Sequence, residues 1–174
     1  MPSGMLTTIL ALQANPNCRA AYADSILTIS SSQLGCLAKP DFNLDATISL
    51  PSIFCGNLIF HSSIFWDYIE NHNNTNYPIG LDLLLQFIST NDFDGFLHIN
   101  EPLFITSPPK LQASENEISV VLNHLHARGY KNATIDSTLP GRYRIRYGHP
   151  TQPLVSIIIP TKDQFPLLER CVTS

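Results

Sequence analysis

The sequence has few charged residues and no strong excess of either sign. Charged side chains make up 14% of its 174 residues, against roughly 25% in a typical soluble domain. Hydrophobic residues reach 44%, a composition that argues against disorder and predicts a packed core. The net charge of -4 provides no basic surface of the kind that binds nucleic acid, so we expect no nucleic-acid partner.

Cysteine is scarce and membrane signals are missing. The four thiols belong to Cys18, Cys36, Cys55 and Cys171, and no two of them have the C-x-x-C spacing of a zinc site. We expect free thiols in a reducing compartment. The first twelve residues lack a positively charged start, and no apolar run approaches the ~20 residues that span a bilayer. These absences predict a cytoplasmic protein without a transmembrane segment, associated with a membrane only through partners.

Among the features that are present, the C-terminal stretch has the clearest pattern. Val155–Ile159 is a β-branched run between Pro153 and Pro160, which predicts a strand buried on both faces. Thr161 and Asp163 then offer side-chain oxygens that cap a helix. The apolar face of this helix consists of Leu167, Leu168 and Val172. A strand, a polar turn and a helix in this order open a nucleotide-binding α/β unit.

The first hundred residues predict a mixed α/β layer. Strands are expected near Ala21, Leu58 and Leu97. Helices are expected over 5–12, 64–69 and 81–88. The first strand is expected to end at Asp24, and the serine-rich stretch Ser25–Lys39 is predicted to be a loop. A strand over Ile53–Phe60 is predicted to approach a neighbouring segment closely at Gly56.

A boundary at Ser107-Pro108-Pro109 precedes a well-marked helix. Ser114 and Glu117 form a capping box, in which the hydroxyl accepts the Glu117 N–H and the carboxylate reaches back to Ser114. Gly129 ends the helix, and two strands follow. This helix-strand-strand unit is too small for a core of its own, so it must pack on a neighbouring segment. The second strand carries Arg142, Arg144 and Arg146 on one face, which we interpret as solvated.

Residues 153–174 resemble the opening of family-two glycosyltransferases, which have the GT-A fold. In that family a V-S-I-I-I-P-T strand leads through a polar residue to an L-L-x-x-C-[VIL]-x-S helix, and nearly every position here fits. The carboxyl end of the family's strand lies beside the nucleotide of a sugar donor. The resemblance therefore implies that Pro160, Thr161 and Asp163 contact a nucleotide-sugar donor.

The first hundred residues resemble the later half of the same family, in members that synthesise polysaccharides. The matching segments, in the family's order and spacing, are Asn15-Pro16, Tyr22–Ile26, Lys39–Asn43, Gly56–Leu58, Gly80–Gln86 and His98–Phe104. The segment 122–147 resembles the connector that joins two such domains in tandem. The resemblance implies a partial GT-A-like α/β domain over 1–107, a connector over 108–152, and the start of a second glycosyltransferase domain over 153–174.

The residues that carry the family's chemistry are only partly present. The family's metal motif is an aspartate pair that holds Mn²⁺ or Mg²⁺ on the donor diphosphate. Here Asp24 has no acidic partner at Ser25 or Ile26, so it is either a lone metal ligand or the cap of a turn. The family's base is an acid just before a helix, and Gly80 occupies that position here. Asp82 remains as a catalytic candidate, although its family counterpart starts the helix.

Two hypotheses about function follow. The leading one is a relative of enzymes that move a sugar from a nucleotide-sugar donor to a surface polysaccharide acceptor, truncated and weakly active or inactive alone, with no divalent metal bound. The alternative is a non-catalytic interaction module that docks on a partner glycosyltransferase. The missing acids at Ile26 and Gly80 favour either hypothesis over a working enzyme. We interpret His98 as a strand residue rather than a base. An unrelated small α/β protein is a third interpretation, which requires the ordered matches to be coincidental.

Overall fold

The computed structural model describes residues 2–71, 78–91, 95–151, 154–160 and 162–173. The helices are α1 (Pro2–Ala14), α2 (Leu44–Ser49), α3 (Pro51–Phe54), α4 (Ser62–Asn71), α5 (Ile79–Asn91), α6 (Glu115–Ala127) and α7 (Phe165–Thr173). The strands are β1 (Ala20–Thr28), β2 (Leu34–Leu37), β3 (Ile59–Phe60), β4 (Phe96–Thr106), β5 (Thr134–Leu139) and β6 (Arg142–Arg146). The predicted α/β class is confirmed, whereas the GT-A topology stays a prediction. None of the described helices is long and apolar enough to cross a bilayer.

Strand β1 is the centre of the larger sheet. Antiparallel β3 pairs with its first two residues, antiparallel β2 pairs with its last four, and parallel β4 follows it along nearly its whole length. Strands β5 and β6 form a separate antiparallel pair. The first half of β1 is fully buried at Ala20, Ala21 and Ala23. Because alanine adds little bulk, neighbouring elements such as α1 can pack closely against this strand.

The strand continues past Asp24, and the stretch that follows is a β-hairpin rather than the predicted loop. The turn of the hairpin is closed by the Ile29 N–H, which donates to the Gln33 carbonyl at 3.0 Å. The serine run Ser30–Ser32 occupies only this turn. The loop prediction was wrong because these turn residues concealed the short apolar segments on either side, which form a ladder together.

A bulge interrupts the β1–β4 ladder at Asp24. Ala23 pairs with Ile99, whereas Asp24 pairs with Pro102. Proline has no N–H to donate to a ladder, and within sheets it is confined largely to edges and bulges. The irregularity therefore falls where β1 changes from its alanine-rich half to its polar half.

Helix α5 contributes to both apolar clusters of the core. The first cluster contains Ile48, Leu81, Leu84, Leu85, Ile88, Val120, Val121, Leu125 and Ala133. The second contains Ala20, Ile64, Tyr68, Leu83 and Phe87. A helix that is apolar around most of its circumference requires neighbours on several sides, and here these are α6, α4 and the sheet. The expectation that the helix-strand-strand unit packs on a neighbouring segment is confirmed by the contact of α6 with α5.

The predicted capping box of α6 is confirmed at the Ser114 hydroxyl, whereas the predicted direct return contact from the Glu117 carboxylate to Ser114 is replaced by an indirect one. The Ser114 hydroxyl accepts the Glu117 N–H at 3.4 Å. The return contact passes through Tyr143 on β6, whose hydroxyl accepts the Ser114 N–H at 2.9 Å and donates to Glu117 Oε2 at 2.6 Å. The phenol therefore joins the start of the helix to the hairpin β5–β6. On the same strand, Arg142, Arg144 and Arg146 are exposed, as predicted.

The predicted strand over Val155–Ile159 is wrong. Residues 154–160 pair with no described strand, and their apolar side chains are exposed. An extended segment becomes a strand only when a neighbour completes its hydrogen-bond ladder. Helix α7 forms as expected and starts after Gln164, whose carbonyl accepts the N–H groups of Leu167 and Leu168.

The strand predicted over Ile53–Phe60 is formed only at its last two residues. Pro51 starts the short helix α3, because proline at the first position of a helix has the right φ and needs no N–H partner. Gly56 is not packed against a neighbouring segment on its Cα side, because a Cβ there would meet no other atom within 4 Å. The close approach lies instead at Gly4, where α1 crosses the backbone of β4 at Leu103.

Candidate functional site

Four segments that are distant in the sequence meet at the polar half of β1. They are β1 itself, the connection from β2 to α2, the turn between α3 and β3, and the start of β4. The name Asp24 cluster is used here for the side chains that meet there: Tyr22, Asp24, Lys39, Asp41 and His98. Parallel pairing of β1 with β4 places Tyr22 opposite His98.

Asp24 is the acceptor at the centre of the cluster. Its Oδ1 accepts the Lys39 backbone N–H at 2.8 Å and lies 3.3 Å from His98 Nε2. Its side chain is 13% exposed. The other oxygen, Oδ2, forms no hydrogen bond with a described residue and can therefore accept one hydroxyl or amide donor from a bound molecule.

His98 lies between two carboxylates. Its Nδ1 is 2.9 Å from Asp41 Oδ1, on the side opposite the Asp24 contact. The imidazole stacks on the ring of Tyr22 with the centroids 4.5 Å apart. A carboxylate can only accept a hydrogen bond, so both contacts of the ring are satisfied together when both nitrogens carry a proton. His98 is a strand residue, as interpreted, but its ring belongs to the polar cluster.

Lys39 provides a buried cation next to Asp24. The residue is 5% exposed, and its Nζ donates to the Gly56 carbonyl at 2.7 Å. The ammonium also lies 5.9 Å from the centre of the Tyr22 ring, within the range of a cation–π contact. Burial lowers the pKa of this ammonium, and the nearby Asp24 carboxylate offsets part of that change.

Tyr22 and Asn57 complete the frame around these charges. The Tyr22 hydroxyl donates to the Pro40 carbonyl at 2.9 Å, and burial, with Asp41 and Asp24 nearby, raises the pKa of the phenol. Asn57 has a φ of 60° and donates from its amide to the Ser25 hydroxyl at 3.0 Å. The left-handed backbone at Asn57, a conformation that asparagine tolerates, thereby turns its amide toward β1.

The other predicted site residues lie elsewhere. Asp82 Oδ2 accepts the Tyr68 hydroxyl at 2.7 Å and is 3.4 Å from Gln86 Nε2, so this carboxylate connects α4 with α5 and does not join the Asp24 cluster. Pro160 and Asp163 are exposed in the C-terminal segment. Thr161 lies outside the described residues.

The donor set around Asp24 does not fit a divalent cation. Mg²⁺ requires near-octahedral oxygen coordination, and Mn²⁺ also favours oxygen ligands. Here both nitrogens of His98 face carboxylates, and the Lys39 ammonium supplies positive charge beside Asp24. Within the part of the chain that the structure describes, no three His, Cys, Asp or Glu side chains are arranged so that they could hold a metal ion together. We therefore derive no chemical step through a metal.

The sequence alone did not predict that the side chains of Lys39, His98 and Tyr22 lie together. The signal that points to them is the period of two in β1, which places Tyr22 and Asp24 on one face of a regular strand. The parallel register with β4 then brings His98 to that face. This register depends on contacts across more than 70 residues and has no local sequence signal.

Comparison of the chain with family models, curated proteins and solved structures gave no match.

Proposed function

We propose that the chain is a relative of the family-two glycosyltransferases that build surface polysaccharides, and that it is weakly active or inactive alone. One observation carries the proposal. Segments that the sequence resemblance selects one by one, around Asp24, Lys39, Asn57 and His98, contact one another in the structure. The contacts link residues up to 74 positions apart in the sequence, which chance matches to a family pattern do not require.

The missing acids account for the proposed low activity. General-base assistance typically contributes a factor of about 10² to 10⁴ in rate. Gly80 stands where the family has its base. The Asp82 carboxylate accepts hydrogen bonds from Tyr68 and Gln86 instead of acting as that base. Without a base or a metal, the remaining chemistry of the Asp24 cluster is the binding of one hydroxyl or amide donor at Asp24 Oδ2.

Calorimetric titration tests the proposal. The purified chain is titrated with Mn²⁺ and with a panel of nucleotide sugars, and the mixtures are then assayed for transfer and hydrolysis products. We expect Mn²⁺ to bind no more tightly than to a surface carboxylate, and we expect no product. Micromolar, metal-dependent donor binding that disappears in Asp24→Ala would contradict this, because it would require a complete donor site.

The alternative is a non-catalytic module that docks on a partner glycosyltransferase, and exposed apolar surface favours it. Helix α1 has no charged residue, and Met5, Leu6 and Leu10 are each more than half exposed. The DNA sequence on both sides of the coding segment distinguishes the two functions. A flanking region that encodes the rest of a glycosyltransferase supports the enzyme relative, and an unrelated flanking region supports the docking module.

A further inference from the structure

A cavity of about 530 Å³ lies between the start of α2 and the end of α6. Phe42, Leu44 and Leu125 supply its apolar wall. The opposite wall carries three rings from the segments that flank the β5–β6 hairpin: Tyr130, Tyr147 and His149. None of the residues of the Asp24 cluster lines this cavity, so it is a different site.

The three rings form a compact aromatic group. The centroids of Tyr130 and Tyr147 are 4.9 Å apart, and Tyr147 stacks at 6.0 Å on His149 with an angle of 25° between the planes. Tyr130 and Tyr147 are half-buried, and His149 is exposed. Half-buried rings at a cavity wall offer an apolar surface to a ligand together with polar groups at its edge.

The polar groups of the cavity carry equal and opposite charge. Burial raises the pKa of the Tyr147 phenol to about 12, and the hydrogen bond that this hydroxyl donates to Asp45 contributes to the shift. The Arg128 side chain forms no ion pair with any described residue. One carboxylate and one guanidinium give no net charge, so the cavity does not favour a polyanion. Both groups bind hydroxyls well.

A second cavity adjoins the first. It measures about 680 Å³ and shares two lining residues with its neighbour, Asp45 and Tyr147. The hydrogen bond between these two side chains therefore stands at the junction of the two spaces. Beyond the junction the wall includes Thr138 and the exposed guanidinium groups of Arg142 and Arg144. The two adjoining cavities are together called the groove, and their walls combine aromatic rings with side chains that bind hydroxyls.

We propose that this groove binds a glycan chain, with one sugar ring against Tyr130, Tyr147 and His149 and the following sugars toward Arg142. A sugar ring has apolar C–H faces that pack on aromatic side chains, and its hydroxyls both donate and accept. Asp45 accepts from such hydroxyls and Arg128 donates to them. A neutral first cavity, its aromatic wall and a second cavity beside it are the features that favour an oligosaccharide over a nucleotide or a free phosphate.

That the glycan is an acceptor substrate rests on the proposed function. That the groove binds a glycan does not. Glycan binding supports the inference whether or not the chain binds a nucleotide sugar. Micromolar, metal-dependent donor binding contradicts the proposed low activity whether or not a glycan binds. The two proposals therefore fail separately.

The experiment uses the full chain on an array of neutral and acidic hexose oligosaccharides, followed by NMR titration with the best oligosaccharide and with UDP. We expect at least one oligosaccharide to shift the resonances of Tyr130, Tyr147 and His149, with a Kd of about 1 mM or tighter. Absence of binding across the array overturns the proposal. So does a shift of these resonances by UDP and by no oligosaccharide.

Substitutions test whether the oligosaccharide binds in the groove. Arg128→Gln is expected to weaken binding of the best oligosaccharide several-fold, whereas the matched control Arg170→Gln, which removes an exposed guanidinium that lines neither cavity, leaves its Kd unchanged. Tyr147→Ala is expected to weaken binding at least about tenfold. Tyr147→Phe keeps the ring and is expected to retain most of the affinity, which also guards against misfolding of the alanine variant. Equal effects of Arg128→Gln and Arg170→Gln would overturn the assignment to the groove.

Discussion

Helix α5 and the segment 154–160 are both strongly apolar, yet one is buried and the other is exposed. Leu84 in α5 is 1% exposed, whereas Ile158 is 90% exposed. Helix α5 satisfies its backbone hydrogen bonds internally and then packs on α4, α6 and the sheet. The extended segment has a run of β-branched residues but no described neighbour that completes a ladder. Apolar sequence thus determines burial only where other elements of the chain supply the opposite surface.

We expect the largest effect from a truncation in the packed helix α5. Leu84→Ala removes a side chain from the first core cluster, and we expect it to lower the free energy of unfolding by about 2–5 kcal/mol. The same type of truncation at Ile158 is expected to change it by less than about 0.5 kcal/mol. Urea denaturation of both variants measures the difference. A comparable loss at Ile158 would show that the segment is packed in solution.

The contact between α5 and α6 is expected to weaken in acid because of His124. Its Nδ1 lies 3.4 Å from the Ser89 hydroxyl, and its buried Nε2 has no hydrogen-bond partner among the described residues. Burial, and secondarily Arg128, lowers the pKa of His124 from 6.5 to about 4. The unfolded chain therefore binds the proton first as the pH falls, and the folded state loses stability between about pH 6.5 and 4, by up to about 3 kcal/mol.

Denaturation of the native chain and of His124→Leu at pH 7 and at pH 4.5 measures this loss. The variant lacks the titrating group, so its stability should fall less with acid than that of the native chain. His126 on the same helix is exposed, and His126→Leu is the matched control. An identical acid response in the native chain and in His124→Leu would contradict the prediction.

Gly4 and Gly56 allow the stability effect of the same substitution to be compared at a packed and at an open backbone position. A Cβ at Gly4 would collide with the carbonyl oxygen of Leu103, whereas a Cβ at Gly56 would meet nothing. We expect Gly4→Ala to destabilise the chain by about 1–3 kcal/mol, in spite of the better helix propensity of alanine. Gly56→Ala is expected to be neutral or to stabilise by at most about 1 kcal/mol. Thermal unfolding distinguishes the two, and a stabilised Gly4→Ala would show that α1 does not lie on β4.

The smallest effect concerns the start of α6. Ser114→Ala removes the hydroxyl that accepts the Glu117 N–H, and we expect a loss of about 1 kcal/mol in unfolding free energy. Ser114→Asp retains a side-chain acceptor and serves as the control. Equal stability of the alanine variant and the native chain would mean that Tyr143 alone is sufficient to cap the helix.

Local patterns predicted the longer helices well, because a helix is defined by residues within one or two turns, whereas the short helices α2 and α3 were not predicted. The bounds expected for α6 differ from the observed ones by one residue, and its cap was identified from Ser114 and Glu117 alone. Strands were less predictable. The hairpin after Asp24 was missed because its serine turn concealed the short apolar segments on either side, and the strand expected over Val155–Ile159 has no partner among the described strands.

The candidate site likewise combines a residue that the sequence pattern indicated with neighbours that depend on strand pairing. Asp24 stood out in the sequence as a lone acid where a family pattern has two. Its neighbour His98 follows from the parallel register of β1 and β4, which shifts at the bulge opposite Pro102. The backbone of Lys39 is brought to Asp24 by the β1–β2 hairpin, in which Ser25 pairs with Leu37. Neither the register nor the bulge has a local signal, so the cluster could be inferred only once the sheet was known.

The position of Tyr143 has a consequence for synthesis of the chain. Ser114 and Glu117 leave the ribosome before the residue whose hydroxyl accepts the Ser114 N–H and donates to the Glu117 carboxylate. Until β6 has been made and has folded back, the first turn of α6 has only the Ser114 hydroxyl as a cap. The nascent helix therefore begins at a partly formed boundary, and its first turn becomes fixed after the hairpin rather than before it.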